Sequence, residues 1–96
     1  EADMQARALV EARVDGDRLL IATHSALDAD GDVLSADERS AIDALMEALR
    51  ATLTSDSAAT IENASEALAK GTEAFAAERM NRGIRVALAG KNVQAL

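Results

Sequence analysis

The sequence predicts an all-α fold: a small antiparallel bundle of three to four helices, extended by the end of a long helix. Three observations lead there. The 96 residues include no proline, and 23 of the 47 apolar residues are alanine, the strongest helix former. Apolar residues recur at helical rather than strand spacing. The connections between periodic segments are short, which sets consecutive helices antiparallel. Only 24 large apolar side chains remain to build a core, so stability of about a few kcal/mol is expected.

The first helix is predicted over about 1–29. Val10, Val14 and Ile21 fall on one stripe, with Leu20 and Leu27 a heptad apart beside it. Gly16, inside this helix, costs about 1 kcal/mol relative to alanine. The cluster Asp28-Ala29-Asp30-Gly31-Asp32 is expected to end it, with Gly31 supplying a left-handed residue. Glu1 is not a start methionine and the first turn has no cap, so a longer parent chain is expected.

The second helix, about 36–53, has the clearest start. Ser35-Ala36-Asp37-Glu38 is a capping box, and Leu34 before it can staple against the Arg39 stem or Ile42. Ile42, Leu45, Met46, Leu49 and Leu53 then mark a narrow apolar seam. Thr54-Ser55-Asp56-Ser57 reads as a turn that caps a third helix over about 57–89. Ile61, Leu68 and Phe75 are spaced by seven there, after which the stripe changes phase to Ala76, Met80, Ile84 and Ala87-Leu88. A straight helix would rotate the second stripe off the first, so a bend or break is expected between Gly71 and Arg82. Ala89-Gly90-Lys91-Asn92 is expected to stop the helix, with Val93 to Leu96 fraying.

Composition excludes several functions. Without cysteine there is no disulfide scaffold, zinc–thiolate site or thiol nucleophile. A formal charge of −7 argues against a general nucleic-acid binder, whose affinity comes from lysine and arginine. No apolar run approaches the roughly 20 residues that span a bilayer. The charge is uneven: residues 1–78 hold 17 acids and 6 bases, whereas 79–96 hold Arg79, Arg82, Arg85 and Lys91 and no acid. That basic end either complements a helix dipole or forms a patch for an acidic partner.

The candidate sites give no active site. A calcium loop starting at Asp28 needs glycine at 33 and glutamate at 39, where the chain has Val33 and Arg39. His24 is the only histidine and has no companion ligand, and the serines and threonines lack a matching histidine–carboxylate set. The five glycines are too scattered for a phosphate loop. No catalytic, cofactor or metal residue is therefore expected in these 96 residues, and an enzyme is not the expected function.

Three stretches together resemble the C-terminal helical lid of heat-shock-seventy chaperones. They are Glu1-Ala2-Asp3 with Gly16-Asp17-Arg18-Leu19-Leu20, then Leu34 to Ile42, then Ala59-Thr60-Ile61-Glu62. Asp3 to Arg7, the Phe75-Ala76-Ala77-Glu78-Arg79-Met80 stretch and the Ala87-Leu88-Ala89-Gly90 close are similar to the branch devoted to iron–sulfur cluster assembly. The general chaperones carry a long acidic tail after this point, and here only a few residues follow.

The resemblance implies a cytoplasmic chaperone whose upstream parts are an ATPase domain, binding ATP or ADP with magnesium, and a β-sandwich that grips a client peptide. The helices would be a lid slowing peptide release. The client would be the iron–sulfur scaffold protein, delivered by a J-domain co-chaperone. By the same resemblance Asp17 matches a lid aspartate that latches to a basic residue on the sandwich. Ile21 stands where the pattern has a second, histidine latch. Leu19 and Leu20 match neighbouring apolar positions that bury against the sandwich or the bundle. Structural readings stay open for all three: a solvated Asp17, and leucines that are simply core. Without its sandwich, the first helix leaves an apolar patch that is expected to drive dimerisation of the isolated chain. The alternative to a lid is a free-standing helical adaptor that binds a partner helix.

Overall fold

The structure, a computed structural model, describes residues 2–95. Among them are four α-helices, one short 3-10 turn and no strand, as an all-α bundle requires. α1 is Ala2–Asp30, α2 is Ala36–Thr52, α3 is Ala58–Gly71 and α4 is Glu73–Ala95; the 3-10 turn Gly31–Val33 links the first two. α1 and α3 run in the same direction and α2 runs against both. Arg13 near the start of α1 donates to Leu53 and Ser55 carbonyls at the end of α2, while Leu45 of α2 meets Gly71 at the end of α3.

The core is the meeting line of α1, α2 and α3. Leu49, Ile61 and Leu68 are wholly buried, joined by Ile42, Met46, Leu20, Leu27 and Phe75. Two glycines let the backbones approach. A Cβ on Gly16 would lie 3.1 Å from Leu53 Cδ2 and 3.3 Å from Leu49 Cδ1. One on Gly71 would overlap the tip of the Leu45 side chain. The local cost of Gly16 in a helix is thus offset by three-helix contact.

The caps are formed by side chains. Ser35 Oγ accepts from the Glu38 amide at 3.1 Å while Glu38 Oε1 accepts from the Ser35 amide at 2.8 Å, completing the capping box. That double contact holds the Glu38 carboxyl below its usual range, chiefly through the Ser35 backbone N–H. Ser57 Oγ accepts from the Thr60 amide at 3.2 Å and starts α3. Thr72 separates α3 from α4: its amide reaches the Leu68 and Ala69 carbonyls, its hydroxyl donates to the Leu68 carbonyl at 3.0 Å, and its own carbonyl accepts from Ala76.

Several local expectations are corrected. The buried face of α1 does not carry Val10, Val14 and Ile21, which are 57%, 41% and 62% exposed. Burial instead follows Leu9, Arg13, Gly16, Leu20, Thr23, Leu27 and Asp30, a strict alternation of three- and four-residue steps. Leu20 and Leu27, expected beside that stripe, are buried, but four of the seven side chains on their seam are polar or absent, which hid it from apolar spacing. Gly31 takes no positive φ; the chain leaves α1 through the 3-10 turn instead. The stop expected over Ala89–Asn92 does not occur. α4 continues to Ala95, because an unpacked helix without proline loses only about 1 kcal/mol at Gly90, and Leu96 lies outside the described residues. Met80, Ile84 and Leu88, read as a second core stripe, are at least half exposed.

The molecule is long. Its extents are 64 × 28 × 17 Å and its radius of gyration is 17.3 Å, against about 12–13 Å for a compact chain of this length.

Candidate functional site

No group of three or more His, Asp or Glu side chains suited to a metal occurs among the described residues. Three surface features stand out: the free face of α1, the exposed apolar side chains Met80, Ile84, Val86 and Leu88 of α4, and one ion-pair cluster.

The face is the side of α1 turned away from the core. Arg7, Val10, Val14, Asp17, Arg18, Ile21, Ser25 and Asp28 follow one another along it at helical spacing, and every one is exposed. Its middle is the charged pair Asp17 and Arg18, flanked by the aliphatic Val14 and Ile21. A shallow groove of about 470 Å³ beside it is lined by Asp17, Leu20, Ile21, His24, Ser25, Asp28 and Arg50. His24 is exposed and lies 3.9 Å from Asp28. The face therefore offers three exposed aliphatic side chains interleaved with charges, and no nucleophile–base set. It can bind a protein surface.

The residues singled out from sequence divide at this face. Asp17 is on it, solvent-exposed and free of any ion pair to a described residue. Leu20, 7% exposed, points into the bundle core, and Leu19 is half-buried against that core. Of the two locations open to the leucines, the bundle is the one they occupy here. Ile21 stands beside Asp17 on the free face, one turn further on.

The cluster joins α4 to the α1–α2 corner. Arg79 Nε donates to Asp30 Oδ2 at 2.8 Å, and Arg82 donates to Asp30 at 3.2 Å and to both Asp32 oxygens at 2.8 and 2.7 Å. Arg79 also lies 5.9 Å from the centre of the Phe75 ring. Arg79 beside Asp30, and Arg82 beside Asp32, hold both carboxyls below the usual carboxylate range, and the two aspartates raise Arg82. Two of the four basic residues of the C-terminal stretch thus find their acidic partner within the chain. Sequence reasoning missed this pairing, although the charge asymmetry between residues 1–78 and 79–96 was its trace. The same contacts account for Asp30 and Asp32 without a cation.

The bundle is closed by its own core and leaves Val10, Val14 and Ile21 exposed along its longest helix, and the comparisons with known proteins give its family. A model of the Hsp70 protein family matches residues 1–81. The chain belongs to the Hsp70 family. Within it the chain is HscA-like. It is 77% identical to the chaperone protein HscA homolog of Acidovorax sp. (strain JS42) over the whole of this chain and 16% of that relative. It is 72% identical to the HscA homolog of Delftia acidovorans, again over the whole chain and 15% of the relative. The homolog of Ralstonia nicotianae is 58% identical over the whole chain and 16% of its own length. The chain therefore spans about one sixth of the curated relatives it matches.

Proposed function

We propose that these helices are the lid of an HscA-like chaperone, closing over a peptide-binding sandwich in the same polypeptide and slowing peptide release. The observation that carries the reading is the unpartnered strip Val10, Val14 and Ile21 with Asp17 among them, on a bundle whose core is complete without it. A lid must dock and undock repeatedly, so its contact should be modest in area and partly polar. Three exposed aliphatic residues and one aspartate meet that need. Asp17 forms the latch to a basic residue of the sandwich, and Ile21 replaces a second polar latch with an apolar contact. ATP and magnesium bind upstream of this chain and drive lid opening. The client is a peptide of the iron–sulfur scaffold protein, brought by a J-domain co-chaperone in the cytoplasm. No helix of the described residues is long and apolar enough to cross a membrane.

The test is to fuse this chain to a chaperone lacking its lid and to measure peptide dissociation with ADP bound. The off-rate falls if the helices act as a lid. An unchanged off-rate removes the reading and leaves a free-standing adaptor.

A further inference from the structure

We propose that the free face of α1 is also a self-recognition surface, on which a second copy docks antiparallel about a two-fold axis passing between Asp17 and Arg18. The face reads Arg7, Val10, Val14, Asp17, Arg18, Ile21, Ser25 and Asp28 in order, all exposed. An antiparallel copy centred there sets Arg7 against the second copy's Asp28 and Val10 against its Ser25. It sets Val14 against its Ile21 and Asp17 against its Arg18. Symmetry makes each pair twice, so the contact closes as a dimer and does not propagate.

Charge selects this arrangement over its neighbours. Arg7, Asp17 and Arg18 form no ion pair with a described residue, and Asp28 has only the 3.9 Å approach of His24. Parallel docking in register would set Asp17 on Asp17 and Arg7 on Arg7. Sliding the antiparallel copy one heptad one way opposes Asp17 to Glu11, and the other way opposes Val14 to Asp28. Only the central register gives every charge an opposite and sets Val14 against Ile21. Arg7 to Asp28 extends for about 32 Å of helix, and a single helix pair of that length buries on the order of 1,000 Å², so the dimer is weak. The inference goes beyond the lid reading. The sandwich and a second copy would use the same strip and exclude one another.

Sedimentation equilibrium of the 96-residue chain, which carries its own core and caps, tests it. The mass should rise from one chain of 10.0 kDa towards twice that between low micromolar and about millimolar concentration. Asp17→Arg and Arg18→Asp, both at exposed positions, should each raise the dissociation constant at least tenfold while the helical circular dichroism stays unchanged. Mixing the two variants in equal amounts should restore dimerisation, since the reversed charges then meet across the axis. A single-chain mass at every concentration overturns the proposal. So does a dimer indifferent to both substitutions, or a mixture no tighter than either variant alone. None of these results touches peptide release, so failure here is distinguishable from failure of the lid reading.

Discussion

Gly16 shows how one position serves both stability and function. Its missing side chain lets α1 settle between α2 and α3, with Leu49, Leu53 and Ser65 all within 3.4 Å of where a Cβ would sit. The next residue, Asp17, lies about 100° further round the helix and is exposed. Gly16→Val should destabilise the bundle by about 1–3 kcal/mol through overpacking, read as a lower urea midpoint with little change in slope. Asp17→Ala should leave that midpoint where it is, because the carboxylate touches nothing in the bundle. In a whole chaperone the same change should raise the peptide off-rate only severalfold, since an exposed ion pair is worth about 0–1 kcal/mol. A hundredfold rise would mean that Asp17 is buried on docking. Ser35→Ala should cost about 0.5–2 kcal/mol by removing half of the capping box, measured by thermal melting.

At the scale of elements, α4 is the helix least bound to the rest. It follows α3 after Thr72, and Ile84, Val86 and Leu88 on it are all exposed. What orients it is Phe75 and the arginine–aspartate cluster at the α1–α2 corner. The pH dependence has a definite sign. Asp30 and Asp32 are depressed in the folded state, so their contribution is full above the unfolded carboxylate value near 4 and is lost as pH falls through the lower folded values. Spin labels placed on α1 and α4 should therefore report one narrow distance at pH 5 and still at pH 4, broadening only as pH falls through the lowered folded values, and in molar salt. With Arg82→Gln the distribution should be broad already at pH 7.

The elements differ in how plainly the sequence revealed them, for physical reasons. α2 and α3 bury aliphatic residues at regular intervals, and Ser35 and Ser57 announce their starts, so both were legible. α1 was legible as a helix but its orientation was not. Its seam against the bundle runs through Arg13, Gly16 and Thr23, which bury by capping α2 carbonyls, by having no side chain, and by donating to the Leu19 carbonyl. The stripe left outside carries as many large aliphatic residues as the buried one, three each, so local pattern could not choose between them and packing decided. The cluster of Asp30, Asp32, Arg79 and Arg82 joins residues some fifty positions apart, beyond the reach of local spacing.

For the whole molecule, shape and charge lead to one picture. A rod 64 Å long with a complete core exposes one apolar strip along its first helix and anchors its last helix by ion pairs. The chain corresponds to about one sixth of its HscA-like relatives, and the lid proposal makes the strip its contact with the rest of such a protein. The most direct measurement is the rate of peptide release from an ADP-bound whole chaperone carrying Ile21→Glu on the strip, beside Ile84→Glu on the far half of α4. Loss of one buried isoleucine contact is worth about 1.5–3 kcal/mol, so Ile21→Glu should speed release ten- to a hundredfold, towards the lidless rate. Ile84→Glu should leave it unchanged. Normal release with Ile21→Glu, or equal acceleration by both, would contradict the assignment of the α1 face as the closing surface.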